Sequence, residues 1–278
     1  GFCHGIRPGP DTLHVCYCLA PTRYIWDLDM YLDREKFGAS VRLLAKLVAR
    51  LYRRWDYAAA QRAHHLVAIS TEIQDRIRRY YGRAAEIIFP PVEVAERFAP
   101  APQHDDYFLI VSRLVPYKRI DLAVQACTRL GLPLVIGGKG RDRERLEAMA
   151  GPTVQFIGFV PDDDLPDLFA RCRAFVFPGL EDFGITPVQA QAAGRPVIAY
   201  RGGGALDTVL HGQTGLFFDA PTVDSLAAAL SAFDRCEFDP DVARAHAMQF
   251  DTAVFQRQMG GYVARAWDDF KTGASRRG

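Results

Sequence analysis

The sequence predicts an α/β protein whose C-terminal part folds as a doubly wound parallel sheet. From Tyr107 onward, short apolar segments alternate with amphipathic helical segments, which is the pattern of strand–helix units joined by right-handed crossovers. The chain has 278 residues and 49% hydrophobic content, so it can bury a full core and divide into two domains. We therefore expect the doubly wound sheet to form one domain and the N-terminal residues to form another.

The N-terminal region, residues 1–103, contains three candidate strands at 13–18, 65–70 and 86–89. A complete Rossmann-like domain needs about six strands. The chain opens with Gly1 and a loop-like segment rich in Gly and Pro, without a buried strand that leads into a phosphate-binding turn. We therefore interpret residues 1–103 as the back half of a first domain that is truncated at its beginning.

A long helical pattern covers residues 34–64, and its segment 41–55 is both basic and apolar. Basic side chains recur there at three- and four-residue spacing beside leucines and valines: Arg42, Lys46, Arg50, Arg53 and Arg54 beside Leu43, Leu44, Leu47, Val48 and Leu51. Two interpretations stay open. The helix is either a surface helix that packs on the sheet and exposes its basic face, or a surface that docks on anionic lipid.

Pro90, Pro91 and the polar segment 99–106 predict an interdomain linker, so the second domain is expected to cover residues 104–245. Its predicted strands lie near 107–111, 132–136, 154–157, 174–177, 196–200 and 215–218. Its predicted helices lie near 119–130, 141–150, 165–173, 187–193, 205–210 and 223–233. Residues 246–278 carry Phe255, Tyr262, Trp267 and Phe270 among polar residues, which predicts an amphipathic C-terminal helix.

Two strand–loop–helix turns in the second domain carry the candidate site. The first turn follows strand 174–177 and contains Glu181 and Gly184 before a helix that begins near Pro187, because Pro suits the first helical position. A helix start favours an anion or a hydroxyl-rich ligand. The second turn contains the glycines at 202–204. Both turns lie at one end of the sheet, where open α/β proteins bind ligands.

These turns resemble those of a known enzyme family. Residues 181–189, Glu-Asp-Phe-Gly-Ile-Thr-Pro-Val-Gln, resemble the Glu-x7-Glu signature of the retaining nucleotide-sugar glycosyltransferases of family 4. Four further stretches, 112–118, 156–160, 196–203 and 211–218, are similar to the family in the same order. Residues 13–27 resemble the first domain of the mannosyltransferases that build O-antigen and exopolysaccharide chains. The resemblance implies the GT-B fold, with two facing Rossmann-like domains and a C-terminal helix that packs back on the first.

The resemblance also implies roles for individual residues. Arg113 and Lys118 are the expected diphosphate-binding cations, and Glu181 is expected to stabilise positive charge at the anomeric carbon; these three are the predicted catalytic residues. The predicted donor-binding residues are Phe183, Gly184 and Ile185 through their backbone N–H groups, Gln189 at the ribose, and Val160. Two cations at one point can replace a metal beside the diphosphate, so we expect no metal and no other cofactor.

Two positions depart from the family pattern. Gln189 stands in place of the second Glu and can accept one hydrogen bond through its carbonyl. Leu19 stands where the family usually has His near the reacting sugar, and a hydrocarbon cannot donate a hydrogen bond, so we assign no catalytic histidine. Together with the truncation, these departures keep open a catalytically inactive nucleotide-binding remnant, and more distantly a sugar-nucleotide epimerase of the same fold.

Two other patterns suggest different chemistry. His14, Cys16 and Cys18 alternate along a predicted strand and would face one side, as a metal site requires, although small thiols are also common in cores. The glycines of residues 137–140 follow a strand, but Arg143 occupies the position that a dinucleotide-binding fingerprint gives to glycine. A dehydrogenase is therefore disfavoured.

Composition limits the partners and the compartment. Lys and Arg number 34 against 33 acidic residues, so no overall field favours nucleic acid. The six cysteines lack a paired framework, and no signal peptide or 18-residue apolar run is present, so we expect reduced thiols in a cytoplasmic protein. The expected function is transfer of a hexose, most simply mannose from GDP-mannose, with retention to a glycan or lipid-linked acceptor in cell-surface polysaccharide synthesis.

Overall fold

A computed structural model describes residues 3–28, 38–101 and 103–275. The chain divides into two compact units, Gly1–Phe89 with Phe255–Gly278, and Pro90–Val254. The division lies at Phe89 and Pro90, earlier than the predicted boundary at 103. The reason is packing, because Val92 forms a parallel β-bridge with Asp251 and the buried Phe98 ring lies edge-on to Phe169, at 6.0 Å between ring centroids.

The first unit is built on a three-stranded parallel sheet in the order β1-β2-β3. Its elements are β1 (Val15–Cys18), α1 (Arg23–Trp26), α2 (Ala39–Arg62), β2 (His65–Ala68), α3 (Thr71–Tyr81) and β3 (Glu86–Ile87). The C-terminal helix, Thr252–Ser275, is part of this unit from Phe255 onward and packs Tyr262 and Ala266 against Val67 and Ile88. All three predicted strands are present. Residues 34–37 of the predicted long helix lie outside the described residues.

A buried carboxylate, Asp56, joins the helices of the first unit. Thr22 Oγ1, Trp26 Nε1 and Tyr81 OH donate hydrogen bonds to it at 2.9, 2.6 and 2.8 Å, and His4 Nε2 lies 3.1 Å from Oδ1. Burial alone would raise the pKa of Asp56, but these hydrogen bonds outweigh burial and hold the pKa below its ordinary value. A charged residue in an amphipathic helix is expected on the exposed face, yet the side chain of Asp56 in α2 is completely buried.

The second unit is a doubly wound α/β domain, as predicted. Its six parallel strands run in the order β6-β5-β4-β7-β8-β9. The strands are β4 (Phe108–Val111), β5 (Leu134–Gly137), β6 (Val154–Gly158), β7 (Ala174–Phe177), β8 (Val197–Tyr200) and β9 (Gly215–Phe218). The helices are α4 (Val94–Arg97), α5 (Ile120–Leu130), α6 (Arg143–Ala148), α7 (Leu165–Arg171), α8 (Ile185–Ala192), α9 (Ala205–Thr208), α10 (Val223–Phe233) and α11 (Pro240–Ala247).

The strand order fixes where a ligand can bind in this unit. From β4 the chain first builds β5 and β6 on one side, then returns to add β7 on the other side of β4. The connections after β4 and β7 therefore diverge and leave a crevice at the carboxyl ends of these two strands, which is the topological switch point of an open parallel sheet. Both of the loops that carry the predicted catalytic residues leave the sheet at this crevice.

Candidate active site

Lys118 and Glu181 meet at the switch point, although they are 63 residues apart in the chain. Lys118 ends a short 3-10 turn after β4, and Glu181 lies in the loop after β7. The Nζ of Lys118 donates a hydrogen bond to Oε1 of Glu181 in an ion pair whose side chains are 14% and 20% exposed. The two side chains line a narrow cavity together with Ser112 and Gly179. Two of the three predicted catalytic residues are thus in direct contact.

Glycines hold the two loops in this arrangement. A Cβ on Gly179 would lie 2.8 Å from the carbonyl oxygen of Lys118, so only glycine allows the β7 loop to approach this closely. The second glycine-rich turn packs on the Glu181 loop in the same way. The N–H of Gly204 donates a hydrogen bond of 2.9 Å to the Glu181 carbonyl, and a Cβ on Gly204 would lie 2.2 Å from Cα of Phe183. The second glycine-rich turn therefore supports the Glu181 loop.

Arg113 is the third predicted catalytic residue, and Tyr117 links it to Lys118. The Arg113 guanidinium donates a hydrogen bond of 3.0 Å to the Tyr117 hydroxyl, and Nζ of Lys118 lies 5.4 Å from the centre of the Tyr117 ring. Arg113 is exposed, whereas Lys118 is half-buried. Together, Arg113, Lys118 and Glu181 carry a net charge of one positive unit, which favours an anion at this end of the sheet. Tyr117 was not among the predicted site residues, although its position between the two cations in the sequence was a usable signal.

The loop after Glu181 leads into α8, whose first turn faces the same end of the sheet. Gly184 has a φ of 98°, a left-handed conformation that favours glycine, and a Cβ there would lie 2.9 Å from the Phe177 ring. The helix begins at Ile185 and not at the predicted Pro187. Pro187 is tolerated because first-turn N–H groups have no carbonyl four residues earlier to bond. The first turn presents such N–H groups, as the predicted donor site requires.

The predicted donor-binding side chains differ in exposure. The Phe183 side chain is buried and lies edge-on to Phe250, so that only the backbone of Phe183 suits a ligand. Ile185 is exposed, and the half-buried Gln189 lies one helical turn further along the same face of α8. Val160 lies after β6, two strands from β4, and packs so closely on β5 that a Cβ on Gly137 would be 2.8 Å from its Cγ2.

The two competing patterns have structural explanations. Within the described ranges, no cluster of three or more His, Cys, Asp or Glu side chains could hold a metal ion. Cys16 and Cys18 are buried in β1. The glycines that follow β5 are required by close packing, since a Cβ on Gly138 would lie 1.8 Å from the Ser112 carbonyl and a Cβ on Gly140 would lie 2.1 Å from that of Leu114. These glycines hold the β5 loop against the Arg113 loop.

Comparison with known proteins places these features in a family. The sequence profile described as "Glycosyl transferases group 1" matches residues 93–248. The GDP-mannose-dependent alpha-(1-6)-phosphatidylinositol monomannoside mannosyltransferase of Mycobacterium tuberculosis is 33% identical over 194 residues, which cover 59% of this chain and 50% of that protein. The O-antigen chain mannosyltransferase B of Escherichia coli is 31% identical over 135 residues, covering 44% and 35%. The chain spans about half the length of the mycobacterial relatives it matches.

Solved structures share the fold. Sucrose-phosphate synthase from Thermosynechococcus elongatus superposes with a TM-score of 0.72 at 22% identity, covering 92% of this chain and 68% of that one. Anabaena Alr3699/HepE in complex with UDP and glucose gives a TM-score of 0.68 at 20% identity, covering 81% and 74%. These likenesses confirm the predicted α/β fold of the GT-B glycosyltransferases. In the described part of the chain, we find no helix with the length and apolar character that a membrane crossing needs.

Proposed function

The chain belongs to the group 1 glycosyl transferases, and on that basis we propose that it transfers a hexose, most simply mannose from GDP-mannose, to a glycan or lipid-linked acceptor with retention of configuration. Retention is what the resemblance to family 4 implies, and we place the reaction in the synthesis of cell-surface polysaccharide on the cytoplasmic side of the membrane. Both mannosyltransferases among the relatives support the sugar, and the mycobacterial one, which is GDP-mannose-dependent, supports the donor.

The ion pair of Lys118 and Glu181 at the switch point is the observation that carries the proposal. In the proposed reaction the bond between the anomeric carbon and the diphosphate oxygen breaks, and the acceptor oxygen bonds to that carbon on the same face. The departing diphosphate takes the proton of the acceptor. Lys118 and Arg113 stabilise the charge that grows on the diphosphate, and Glu181 stabilises the positive charge at the anomeric carbon. No metal is required.

The remaining predicted donor-binding residues fit the same arrangement. The backbone N–H groups of Phe183 and Gly184, just before α8, and of Ile185, its first residue, are proposed to contact the sugar. Gln189 lies one helical turn beyond Ile185, the first residue of α8, and is proposed to accept a hydrogen bond from one ribose hydroxyl through its carbonyl. Val160, after β6, is proposed to contact the nucleoside.

Nucleotide binding tests the phosphate site directly. Isothermal titration with GDP, UDP, ADP and dTDP identifies the base. Lys118→Ala should weaken nucleoside diphosphate binding by about 10- to 150-fold, because one charge-assisted hydrogen bond contributes about 1.5 to 3 kcal/mol. Nucleoside binding should change little. Arg129→Ala is the matched control, since it removes a surface cation that is paired with Asp224. Equal losses for nucleoside and nucleoside diphosphate would place Lys118 away from the phosphates.

A second candidate function is nucleotide binding without transfer. The Leu19 side chain is 62% exposed, and a hydrocarbon at this position cannot serve the reacting sugar as the family's histidine does. Radiolabelled GDP-mannose incubated with the full chain and a crude lipid or glycan fraction separates the two functions. Transfer is supported if the wild type puts label into the lipid or glycan fraction and Glu181→Gln does not. GDP binding without labelled product supports the inactive alternative.

The basic helix α2 supports a further partner, a lipid surface. Its apolar stripe, defined as Leu43, Leu44, Leu47, Val48 and Leu51, is exposed and not packed on the sheet, whereas its C-terminal half is anchored by the buried Asp56, Ala59 and Ala60. The only acidic residue of α2 is Asp56. We therefore propose peripheral docking on anionic lipid, in which the stripe enters the interface and the basic residues of 41–55 contact headgroups.

Vesicle sedimentation tests this docking. The protein should bind phosphatidylglycerol vesicles in preference to phosphatidylcholine vesicles, and binding should weaken with salt because surface electrostatics are screened. The triple variant Leu44→Gln, Leu47→Gln, Leu51→Gln should lose binding. Leu130→Gln, which alters an exposed leucine of the second unit, should retain it. Equal binding to both lipids, or equal loss in the control, would contradict the proposal.

A further inference from the structure

A second cavity of the second unit lies at the end of the sheet opposite to Lys118 and Glu181. Its volume is about 580 Å³, within the usual range of small-molecule sites. Asp106, Arg173 and Pro196 line it, and they lie just before the neighbouring strands β4, β7 and β8. Lys118 and Glu181 follow β4 and β7, which are each four residues long. The length of these strands, about 13 Å, therefore separates the cavity from the candidate active site.

Arg195 places a buried positive charge at this cavity. The residue is 5% exposed and lines the cavity. Its Nε donates a hydrogen bond of 2.6 Å to the Ala170 carbonyl, and its Nη2 donates to the carbonyls of Ala101 and Gln103 at 2.9 and 3.0 Å.

The charge of Arg195 lacks a counterion. Within residues 3–28, 38–101 and 103–275, no carboxylate forms an ion pair with Arg195 and no group bonds to its Nη1. Burial lowers the pKa of the Arg195 guanidinium, as expected for a charge that neither water nor a carboxylate stabilises. An anionic group on a ligand can supply the counterion by accepting the two N–H groups of Nη1.

Two carboxylates at the same cavity have oxygens to spare. The guanidinium of Arg173 lies between them, with Nη1 at 3.2 Å from Oδ1 of Asp106 and Nη2 at 2.5 Å from Oδ1 of Asp234. The Oδ2 atoms of both aspartates accept no hydrogen bond from any residue that the structure describes. Because the two aspartates already share the Arg173 cation, uncharged donors such as hydroxyl groups suit their Oδ2 atoms.

An aromatic side chain completes the lining. Phe238 is half-buried and stacks on Phe233, with 5.3 Å between the ring centroids, and both rings line the cavity beside Pro240. Such a wall packs against the C–H groups of a saturated ring. A ligand that uses the whole lining therefore carries an anionic group, several hydroxyl groups and an apolar ring face.

We propose that this cavity binds a hexose phosphate, with the phosphate on Nη1 of Arg195, sugar hydroxyl groups on Asp106 and Asp234, and the C–H face of the sugar ring against Phe238. This inference goes beyond the proposed function and does not depend on it. The bound hexose phosphate is not a substrate of the proposed transfer, because the cavity lies at the other end of the sheet from Lys118. It occupies an independent second site.

Mannose 6-phosphate is the probe, and binding to the full chain is measured by titration calorimetry. Cys236 provides a second readout, because its exposed thiol lines the cavity, whereas Cys16, Cys18, Cys127 and Cys172 are buried. Mass spectrometry follows the alkylation of Cys236 by N-ethylmaleimide. Since only the unoccupied protein reacts, a probe concentration of about ten times the Kd should slow the alkylation about tenfold.

Four variants locate the bound probe. Arg195→Gln should weaken mannose 6-phosphate about 10- to 150-fold, as the loss of one charge-assisted bond to phosphate predicts. Cys236→Trp, which fills the cavity while Arg195 keeps its three bonds, should abolish binding. Lys118→Ala should leave both the affinity and the protection of Cys236 unchanged. Arg129→Gln is the matched control for the loss of an arginine, because Arg129 pairs with Asp224 away from the cavity.

Several outcomes would overturn the proposal. Alkylation of Cys236 at the same rate with and without millimolar mannose 6-phosphate would show that the cavity stays empty. Loss of binding in Lys118→Ala would place the probe at the proposed donor site instead. Mannose or inorganic phosphate that binds as tightly as mannose 6-phosphate would contradict the paired recognition of phosphate and hydroxyl groups. Unchanged affinity in both Arg195→Gln and Cys236→Trp would do the same for the assigned cavity, whether or not the protein binds nucleotides.

Discussion

Replacing Glu181 by Gln should tighten pyrophosphate binding while it abolishes transfer. In the structure the Lys118 ammonium contacts the Glu181 carboxylate, so an incoming diphosphate must compete with an internal anion for the same cation. The substituted glutamine keeps the size of the side chain and a carbonyl acceptor but removes the charge. Most variants at a ligand site weaken binding, so a gain of affinity is a specific consequence of this ion pair.

The magnitude follows from the strength of the bond that is removed. A hydrogen bond to a charged group contributes about 1.5 to 3 kcal/mol and a neutral one about 0.5 to 1.5 kcal/mol. Breaking the contact of Lys118 with residue 181 therefore costs about 1 to 1.5 kcal/mol less in Glu181→Gln than in the wild type. This difference corresponds to about five- to tenfold tighter binding of the diphosphate. Loss of a negative charge beside the bound anion acts in the same direction, and salt reduces that second effect.

Titration calorimetry with inorganic pyrophosphate measures the change, with Glu147→Gln as the control. Glu147 also forms an ion pair, with Arg143, but on α6. The control removes the same charge from the protein and should leave pyrophosphate affinity unchanged. Affinity in Glu181→Gln that is unchanged or lower than in the wild type would refute the reasoning, because it would mean that Glu181 does not compete for Lys118.

Three further predictions test other parts of the structure. Asp56→Asn should lower the free energy of unfolding by about 3 kcal/mol or more at neutral pH. The folded pKa of Asp56 lies below its ordinary value of 3.8, so the stability that Asp56 contributes is present above pH 3.8 and is lost as the pH falls through the folded pKa. The unfolding free energies of the wild type and of Asp56→Asn, measured with urea, should therefore converge in acid. Gly204→Ala should displace the backbone at Phe183 and weaken pyrophosphate binding, whereas Gly260→Ala, with open space around its Cβ position, should not. Gln189→Glu should tighten nucleoside diphosphate binding about tenfold if it faces the ribose, with no gain for a 2′,3′-dideoxyribose analogue.

Local patterns predicted the six strands of the second unit, because each strand is a short apolar segment between turn residues, and six of its eight helices; α4 and α11 were not predicted. Their ends were less predictable. The start of α8 at Ile185 depends on the left-handed conformation of Gly184, which the sequence permits but does not require. The segment from Pro90 has the composition of a linker, yet Val92 and Phe98 find partners far along the chain. Such distant partners leave no trace in local composition.

The candidate site was predictable to the level of topology. Parallel strands place their carboxyl ends together, so Lys118 and Glu181 were expected at one end of the sheet. Their direct ion pair and the support from Gly204 depend on how two loops pack, which spacing cannot reveal. Asp56 illustrates the same limit in the first unit. Its three hydrogen-bond donors, Thr22, Trp26 and Tyr81, come from the residue before α1, from α1 itself and from α3, and only the assembled unit brings them to one carboxylate.

The contact between Lys118 and Glu181 also couples the diphosphate site to the sugar site of the proposed donor. When a diphosphate draws Lys118 away, Glu181 loses its ionic partner and remains half-buried, which is unfavourable until it gains new hydrogen bonds. The hydroxyl groups of the donor sugar can supply them, but a nucleoside diphosphate has no sugar at that place. A nucleotide sugar should therefore bind more tightly than the matching nucleoside diphosphate, and Glu181→Gln should reduce this difference. Because Gly179 and Gly204 hold the loop backbones, the exchange of partners requires only side-chain rotation, and the cation for the leaving group and the carboxylate for the anomeric centre become available in one step.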